Sequence, residues 1–251
     1  RNKLILTIHN ADKFINNKSV FYKLYVNAFK IVVLSESVKE YLAENSKNNI
    51  FVIPAAVPNS ETLRLRSEKI NNINTDVIRF CVTGFIDQNR KDYLRIIDYF
   101  SKLENYNYEL FFLGKLISKD IVDYARERDV DIIYFKDYVD DAMFERIIID
   151  SHFLISLTSS RDYLKSKISG IMYDAMRYGV PLITDNPTLI SDYIEQILIK
   201  NQVDLKTIFN QIVFENDYSD LAKIALEKAE KSLPKNLIKT NDNVRELLDG
   251  F

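Results

Sequence analysis

Residues 78–100 decide the fold, and they read IRFCVTGFIDQNRKDYLRIIDYF. The stretch opens with an apolar run of strand length, turns at Gly84 and continues with apolar residues at helical spacing. We therefore predict a strand over 77–86 and a helix over 91–103. A buried strand that leads through a short turn into an amphipathic helix is the repeating unit of an α/β domain with a parallel sheet.

The same alternation extends in both directions from this unit. Further strands are predicted over 4–8, 31–34, 50–53, 108–113, 131–135, 153–157 and 182–184. Further helices are predicted over 19–30, 38–42, 119–128, 142–149, 167–178, 189–200, 219–231 and 241–248, with the apolar segment 212–214 between two of them. Ser37 and Glu40 form a capping box in front of the second of these helices. Such alternation favours a parallel sheet that helices cover on both faces.

The polar segment 59–76 interrupts this series, and we interpret it as a linker or domain boundary. Residues 77–233 then make a complete doubly wound, Rossmann-like domain, whereas residues 1–58 supply only three strands of another. Residues 234–251 are expected to form a C-terminal helix that returns to the first domain. The predicted fold class is α/β, with two Rossmann-like domains of which the N-terminal one is incomplete. Because the chain begins at Arg1 and enters a strand at once, we expect that residues upstream of it are absent.

Composition excludes several classes of protein. The 251 residues carry 34 Lys and Arg against 36 Asp and Glu, so the net charge of −2 gives no overall basic excess for binding nucleic acid. The hydrophobic content of 47% excludes a disordered chain, and no apolar run reaches the ~18 residues of a membrane span. Cys81 is the single cysteine and is expected in the core, and no Cys or His cluster has the spacing of metal ligands.

Two strand-to-helix turns offer groups that suit a phosphate. The turn 84–91 places Arg90 and Lys91 beside the amides of a helix N-terminus, which suits a diphosphate; the alternative is an ordinary turn with solvated cations. The turn 166–170 offers hydroxyls, a lysine and amides. Asp174 follows one helical turn later, where its carboxylate suits ribose hydroxyls. The alternative there is a favourably capped helix with an acidic first turn.

The two histidines receive different interpretations. His9 follows a strand at its carboxyl end, where it can act in acid–base chemistry or hydrogen-bond the loop backbone. His152 lies at the amino end of the strand 153–157, and we interpret it as structural. The sequence contains no Walker motif, no G-x-G-x-x-G and no G-x-S-x-G, which argues against P-loop proteins, nicotinamide-binding Rossmann enzymes and α/β-hydrolases.

The order of these segments resembles that of the GT-B glycosyltransferases, specifically the retaining family four, over nearly the whole chain. The similar pieces are LILTIHN (4–10), IVVLSESVKEYL (31–42), FVIPAAVPN (51–59), the strand–turn–helix 78–103, SKISGIMYDAMRYGVPLITD (166–185) and IVFENDYSDLAKIALEKA (212–229). In that family the first piece ends in a His near the sugar. The fourth carries an Arg and a Lys that grip the donor diphosphate, and the fifth is the signature with two Glu.

The resemblance implies a metal-independent and cofactor-free transfer, with retention, of a sugar from a nucleotide-sugar donor to a glycan or lipid-linked acceptor. It places such a protein in bacterial cell-surface polysaccharide or glycoconjugate assembly, in the cytoplasm or peripherally at the inner membrane face, with no nucleic-acid partner. By residue, it assigns the donor diphosphate to Gly84, Arg90, Lys91, Ser169 and Gly170, the ribose or donor sugar to Ser166, Lys167, Ile168 and Asp174, the base to Tyr138 and Val139, and the catalytic contact with the transferred sugar to His9.

The sequence also departs from the family pattern. Ser166 stands where the signature has its first Glu, Asp174 stands for the second, and Phe85 replaces the Arg after the strand glycine, with Arg90 as the candidate substitute. These departures favour a divergent branch or a relative that has lost activity. The alternatives are a catalytically inactive GT-B protein that acts as a binding or scaffolding subunit, a different GT-B enzyme such as a nucleotide-sugar epimerase, and an unrelated flavodoxin-like domain.

Overall fold

A computed structural model shows two parallel sheets. It describes residues 4–8, 10–15, 19–43, 49–53, 58–72, 76–103, 105–158, 169–185, 194–199, 202–215, 218–236 and 242. The first sheet has the order β1-β2-β3 and consists of β1 (Ile5–Ile8), β2 (Lys30–Val33) and β3 (Ile50–Val52). The helices that follow its strands are α1 (Asp12–Ile15), α2 (Val20–Asn27) and α3 (Glu36–Ala43).

The second sheet is larger and has the order β6-β5-β4-β7-β8-β9. Its strands are β4 (Ile78–Thr83), β5 (Tyr108–Lys115), β6 (Ile133–Phe135), β7 (Phe153–Ser156), β8 (Leu182–Thr184) and β9 (Gln196–Leu198). The helices around it are α4 (Ser60–Ile70), α5 (Tyr93–Phe100), α6 (Asp120–Glu127), α7 (Asp141–Asp150), α8 (Gly170–Tyr178), α9 (Gln202–Glu215) and α10 (Tyr218–Lys231). All its strand pairs are parallel, which confirms the predicted α/β class.

The strand order of the second sheet reverses between β4 and β7. From β4 the chain winds outward through β5 and β6, then crosses back to β7 and winds the other way through β8 and β9. Right-handed crossovers in opposite directions place their helices on opposite faces of the sheet. Accordingly α5 packs against α6, whereas α8 packs against α4 and α10. The reversal leaves a crevice at the carboxyl ends of β4 and β7, which is where sheets of this order bind ligands.

The decisive stretch folds as its pattern predicts. On α5 the residues at three–four spacing, Tyr93, Ile96, Ile97 and Phe100, are all buried. The Asp92 carboxylate caps the helix by accepting a hydrogen bond from the backbone amide of Arg95 at 3.2 Å. Phe80 on β4 meets Phe100 edge-on, with ring centroids 5.1 Å apart. This aromatic contact helps to fix the strand whose end forms the crevice.

The segment 59–76 differs most from its prediction as a linker, because its first part is helix α4. Asn59 caps α4 by accepting from the amide of Thr62 at 2.6 Å. Arg66, which is fully buried, donates to the carbonyls of Ile149 and Ser151 and to the Tyr218 hydroxyl, at 2.5, 2.9 and 2.7 Å. The helix therefore packs with α7, α8 and α10 on the second sheet. Its polar composition concealed this burial, because Arg66 contacts buried acceptors that lie far away in sequence.

Other local predictions were also wrong. Residues 196–198 form the edge strand β9 instead of part of a helix over 189–200, and the apolar residues 212–214 continue α9. Helix α1 was not predicted. Helix α3 is capped by Ser35, whose hydroxyl accepts from the amide of Val38 at 3.3 Å, so the predicted capping box based on Ser37 has the wrong register. Except for residue 242, the predicted helix over 241–248 lies outside the described residues.

No helix in the described part of the chain is both long enough and apolar enough to cross a membrane.

Candidate functional site

A cavity of about 370 Å³ opens at the carboxyl ends of β4, β5 and β6 beside the N-terminus of α8. Its lining comprises Thr83, Gly84, Phe85, Arg90, Lys91, Leu113, Gly114, Lys115, Tyr138, Val139, Phe144, Ser169, Gly170, Ile171 and Asp174. The volume is that of a site for a small molecule. Its place beside the reversal of strand order is the place where doubly wound sheets bind their ligands.

Two glycines shape the floor of this cavity. Gly84 has a φ of +96°, which L side chains rarely adopt, so the chain can turn sharply at the end of β4. A Cβ on Gly114 would lie 2.1 Å from the Gly84 carbonyl oxygen, so a side chain at this position would collide with the neighbouring backbone. The two glycines together let β4 and β5 end side by side under an open space.

Lys91 is a buried cation in the lining of the cavity. Its side chain has only 7% exposure, and its ammonium donates to the Thr83 carbonyl. Burial lowers the pKa of Lys91 to about 8, although Asp174 acts in the opposite direction. No carboxylate within the described residues pairs with the ammonium at salt-bridge distance. An ammonium has three N–H donors, so Lys91 keeps two for a ligand.

Asp174, on the first turns of α8, faces the same space. Its carboxylate accepts a hydrogen bond from the Thr83 hydroxyl at 2.5 Å. Burial raises the pKa of Asp174, and the Thr83 hydrogen bond, Lys91 and Arg177 oppose that shift. The cavity thus holds one buried cation and one half-buried carboxylate, a combination that can bind a ligand with both an anionic group and hydroxyls.

Two aromatic rings and two cations form one wall. The Arg90 guanidinium lies over the Phe85 ring at 4.8 Å, and the Phe85 and Tyr138 ring centroids are 5.9 Å apart. The Lys115 ammonium lies 5.6 Å from the Tyr138 ring. Tyr138 is 69% exposed, so much of its surface is accessible from the cavity and from solvent. An accessible aromatic ring stacks well on a flat aromatic ligand.

The N-terminus of α8 lines the cavity through Ser169, Gly170 and Ile171. Ser169 precedes the helix and makes no side-chain capping bond, and the amides of Gly170 and Ile171 find no acceptor among the residues described. A Cβ on Gly170 would meet nothing within 4 Å. Uncapped amides at a helix N-terminus attract anions, because their donors and the helix dipole both favour negative charge.

The N-terminus of α5 is not open in this way. The amides of its first three residues, 93–95, donate to the Lys91 carbonyl, the Gln88 side chain and the Asp92 carboxylate, at 2.9, 3.2 and 3.2 Å. The expectation that this helix start would offer its amides to a phosphate was therefore wrong. The turn 84–91 brings side chains to the cavity, and the free amides come from α8.

The sequence of this chain matches no family model and no curated protein. Its structure matches many solved ones. Sucrose-phosphate synthase from Thermosynechococcus elongatus is 13% identical, with a TM-score of 0.67 over 98% of this chain and 68% of that one. HepE from Anabaena, solved with UDP-glucose, is 12% identical, with a TM-score of 0.67 over 100% and 73%. WaaG, a glycosyltransferase involved in lipopolysaccharide biosynthesis, is 15% identical, with a TM-score of 0.62 over 96% and 76%.

The chain has the GT-B fold. The resemblance drawn from the order of its sequence segments is confirmed at the level of the fold. Its second sheet supplies the Rossmann-like unit of the GT-B fold that contains the cavity.

Most of the predicted site residues lie together in this GT-B unit. The cavity is lined by Gly84, Arg90, Lys91, Tyr138, Val139, Ser169, Gly170 and Asp174. His9, Ser166, Lys167 and Ile168 lie outside the described residues, so their assignments stay predictions. Sequence reasoning missed Thr83 and Lys115 as cavity residues. Thr83 ends β4 and Lys115 ends β5, and the carboxyl ends of these strands were the signal available for them.

Two further residues of the second sheet take structural positions. His152 is buried, and its Nδ1 accepts from the Arg79 amide at 3.0 Å while its ring lies 4.8 Å from that of Tyr218. This agrees with its interpretation as structural. Cys81 is fully buried within β4, and burial raises the pKa of its thiol, so it is a core residue with an unreactive side chain.

Proposed function

We propose that the cavity binds a nucleotide-sugar donor and that the protein transfers the donor's sugar to an acceptor. One observation carries the proposal: a buried ammonium, a half-buried carboxylate and a helix N-terminus whose first amides have no acceptor among the described residues line a single cavity at the strand-order reversal of a GT-B fold. The proposal also draws support from HepE, which was solved with UDP and with UDP-glucose.

The diphosphate would lie between Lys91 and the N-terminus of α8. Lys91 would donate its two remaining N–H groups to phosphate oxygens, and the amides of Gly170 and Ile171 would donate from the opposite side. Arg90, 51% of whose side chain is exposed, would approach from the wall and balance the remaining charge. These donors gain strength as negative charge builds on the leaving diphosphate, so they would stabilise the transition state as well as the bound donor.

The nucleoside would occupy the other end of the cavity. The Asp174 carboxylate is placed to accept hydrogen bonds from ribose hydroxyls, and the exposed ring of Tyr138 offers the base a stacking surface beside Val139. No group of three His, Cys, Asp or Glu in the described ranges is arranged to hold a metal ion. We assign the charge neutralisation to Lys91, Arg90 and the N-terminus of α8.

The finer parts of the proposal follow from the resemblance. Transfer would proceed with retention, to a glycan or lipid-linked acceptor of cell-surface polysaccharide or glycoconjugate assembly, and would take place in the cytoplasm or at the inner membrane face. His9 would meet the transferred sugar, and Ser166, Lys167 and Ile168 would lie near it. Ser166 supplies a hydroxyl where the family has a carboxylate, so this branch would hold the sugar through neutral groups.

The test has two stages. First, thermal unfolding and calorimetry are measured with UDP, GDP, ADP and their sugar conjugates; a ligand at 100 times its Kd stabilises by about 2.7 kcal/mol, which is easily detected. Second, sugar release or transfer from the preferred donor is assayed. Selective binding followed by turnover would establish the proposal. Binding without turnover would favour the inactive relative, and no binding by the folded protein would refute the donor site.

A further inference from the structure

Thr83 contacts both charged groups of the cavity. It is the last residue of β4 and is 1% exposed. Its hydroxyl donates to the Asp174 carboxylate, and its carbonyl accepts from the Lys91 ammonium. The two contacts use different parts of the residue, because one comes from the side chain and the other from the backbone.

We propose that Thr83 is the positioning residue that holds the Asp174 carboxylate ready to bind the ribose of the donor. The inference rests on the proposed function and deepens it, because it names the group that makes nucleoside recognition possible in this chain. Thr83 does not need to touch the ligand. It acts through Asp174.

The surroundings of Asp174 leave this task to Thr83. Within the residues described, the Thr83 hydroxyl is its one hydrogen-bond donor, whereas Lys91 and Arg177 influence it through their charge alone. Asp174 is half-buried, and a carboxylate that is largely removed from water is less stable in its charged form when it lacks a donor. A single bond at one carboxylate oxygen leaves the other oxygen free to accept from ribose hydroxyls.

The position of Thr83 makes it a rigid donor. Its backbone pairs with Leu113 in the parallel ladder between β4 and β5. A β-branched side chain has few χ1 rotamers available on a strand, so the hydroxyl is held toward α8 at little entropic cost. Valine has the same shape without the hydroxyl, and serine keeps the hydroxyl with more freedom.

Lys91 contacts the backbone carbonyl of Thr83, and Asp174 contacts its side chain. Substituting the side chain therefore tests the contact with Asp174 while the contact with Lys91 is retained. The experiment compares wild type with T83V, T83S and T83A by calorimetry. The probes are the tightest of UDP, GDP and ADP, its 2′,3′-dideoxy analogue, and inorganic pyrophosphate. We expect T83V to bind the nucleotide roughly tenfold more weakly, as for loss of a hydrogen bond to a charged group. Pyrophosphate affinity should stay within about twofold of wild type, because Lys91 and α8 are unchanged.

Two further readouts exclude a general structural effect. T83S should recover most of the nucleotide affinity, and wild type should prefer the nucleotide over its dideoxy analogue whereas T83V should not. D174N combined with T83V should lose no more affinity than either variant alone, because both remove the same interaction. If T83V does not fold, T83A removes the hydroxyl without adding a methyl group and the same comparisons apply.

The possible results separate the two proposals. Suppose that the wild type binds a nucleotide and that T83V and T83A still bind this nucleotide more tightly than its dideoxy analogue. This result would overturn the role of Thr83 and leave the proposed donor site standing. Equal loss of nucleotide and pyrophosphate affinity would also overturn the role of Thr83, since the substitution would then have disturbed the whole site. A folded wild type that binds neither nucleotide nor pyrophosphate would overturn the donor site and this inference together.

Discussion

At the scale of a single residue, we propose that Lys91 decides whether the cavity can hold a diphosphate. It is a buried cation without a carboxylate partner in the described part of the chain, so the fold gains little from its charge. Replacing a buried, unpaired charge by an apolar side chain is neutral or stabilising in many proteins. The sequence placed this lysine in a turn with Arg90, but the structure distinguishes them, because Arg90 is exposed and pairs with Asp87 at 3.7 Å.

The first prediction concerns K91M. We expect nucleoside diphosphate affinity to fall about 10- to 100-fold, as for lost hydrogen bonds to a charged group, while the melting temperature stays equal or rises. Calorimetry and thermal unfolding measure the two effects. K119A is the matched control, because Lys119 is an exposed lysine on the same side of the sheet that does not line the cavity. Equal losses in both variants would indicate a general charge effect.

The second prediction is a pH dependence of binding. Burial lowers the pKa of Lys91 to about 8, so the free protein loses this charge as the pH rises through that value. A bound diphosphate favours the charged amine and raises its pKa, so affinity should fall by up to tenfold per pH unit above about pH 8. Titrating the Kd of the preferred nucleotide over this range tests the sign. K91M should show no such fall, and a flat wild-type profile would contradict the assignment.

At the scale of elements, α8 contributes its N-terminus to the site and β4 and β5 contribute their close approach. Two glycines mark these contributions, and they do so for different reasons. Gly114 is required by the fold, because a Cβ there would meet the Gly84 backbone. Gly170 is not required by it, because its Cβ would point into open space at the start of α8. The fold would therefore tolerate a side chain at position 170. A glycine here, beside amides that have no acceptor among the described residues, instead allows a ligand to approach the backbone closely.

The third prediction compares G170A with G114A. G170A should stabilise the protein by about 0.5 kcal/mol through lower entropy of the unfolded chain, yet weaken nucleotide binding, because the new methyl group lies where the diphosphate approaches. G114A should destabilise the fold through the backbone collision. Urea unfolding and calorimetry separate the effects. Undiminished affinity in G170A would show that the ligand does not approach this helix start.

The fourth prediction concerns α4, which Arg66 joins to the second sheet. R66M should leave the carbonyls of Ile149 and Ser151 and the hydroxyl of Tyr218 without their donor, and we expect a loss of about 3 kcal/mol in the free energy of unfolding. R64A is the control on the same helix, because Arg64 forms exposed ion pairs, and it should change little. Nucleotide affinity of folded R66M should equal that of wild type, since Arg66 lies outside the cavity.

The elements also show how far the sequence alone predicts this protein. Strands β4, β5 and β7 and helix α5 follow from apolar runs and helical spacing, because local pattern and burial agree there. The sequence pattern gives a wrong prediction where the structure of a segment depends on contacts with residues far away in the sequence. Arg66 reads as a polar surface residue, and residues 196–198 become a strand only because β8 offers its edge.

The candidate site divides in the same way. Lys91 and Asp174 are identifiable from their positions in the sequence. Lys91 ends the turn that follows a predicted strand, and Asp174 lies one helical turn after the turn 166–170. Thr83 cannot be identified in this way, because the sequence does not show its contacts. It contacts Asp174, which is 91 positions away, and Lys91, which is 8 positions away. The sequence also does not show which helix has its first amides hydrogen-bonded. Both turns have the pattern of a helix start with nearby polar groups, yet the first amides of α5 have acceptors, whereas those of Gly170 and Ile171 have none among the described residues.

At the scale of the whole molecule, the two sheets have unequal cores. Among the described residues, the buried cluster of the first sheet centres on Ile8, Ile31 and Val33, and it is far smaller than the cluster around β4, β5 and β7. Smaller cores give less stability per unit, so segments of the first sheet should open at lower free energy. The cavity residues belong to the larger unit, which gives the proposed donor site a rigid base.

The fifth prediction follows from this division and is measured by hydrogen exchange. Without ligand, amides of β1–β3 should exchange faster than those of β4, β5 and β7. The preferred nucleoside diphosphate should slow exchange at the end of β4 and the start of α8 and leave β1–β3 unchanged, because binding stabilises only the unit that it contacts. The corresponding nucleotide sugar should add protection at the end of β1 if His9 meets the sugar. Protection of β1–β3 by the diphosphate alone would contradict a site confined to the second sheet, and no added protection by the sugar would remove the role predicted for His9.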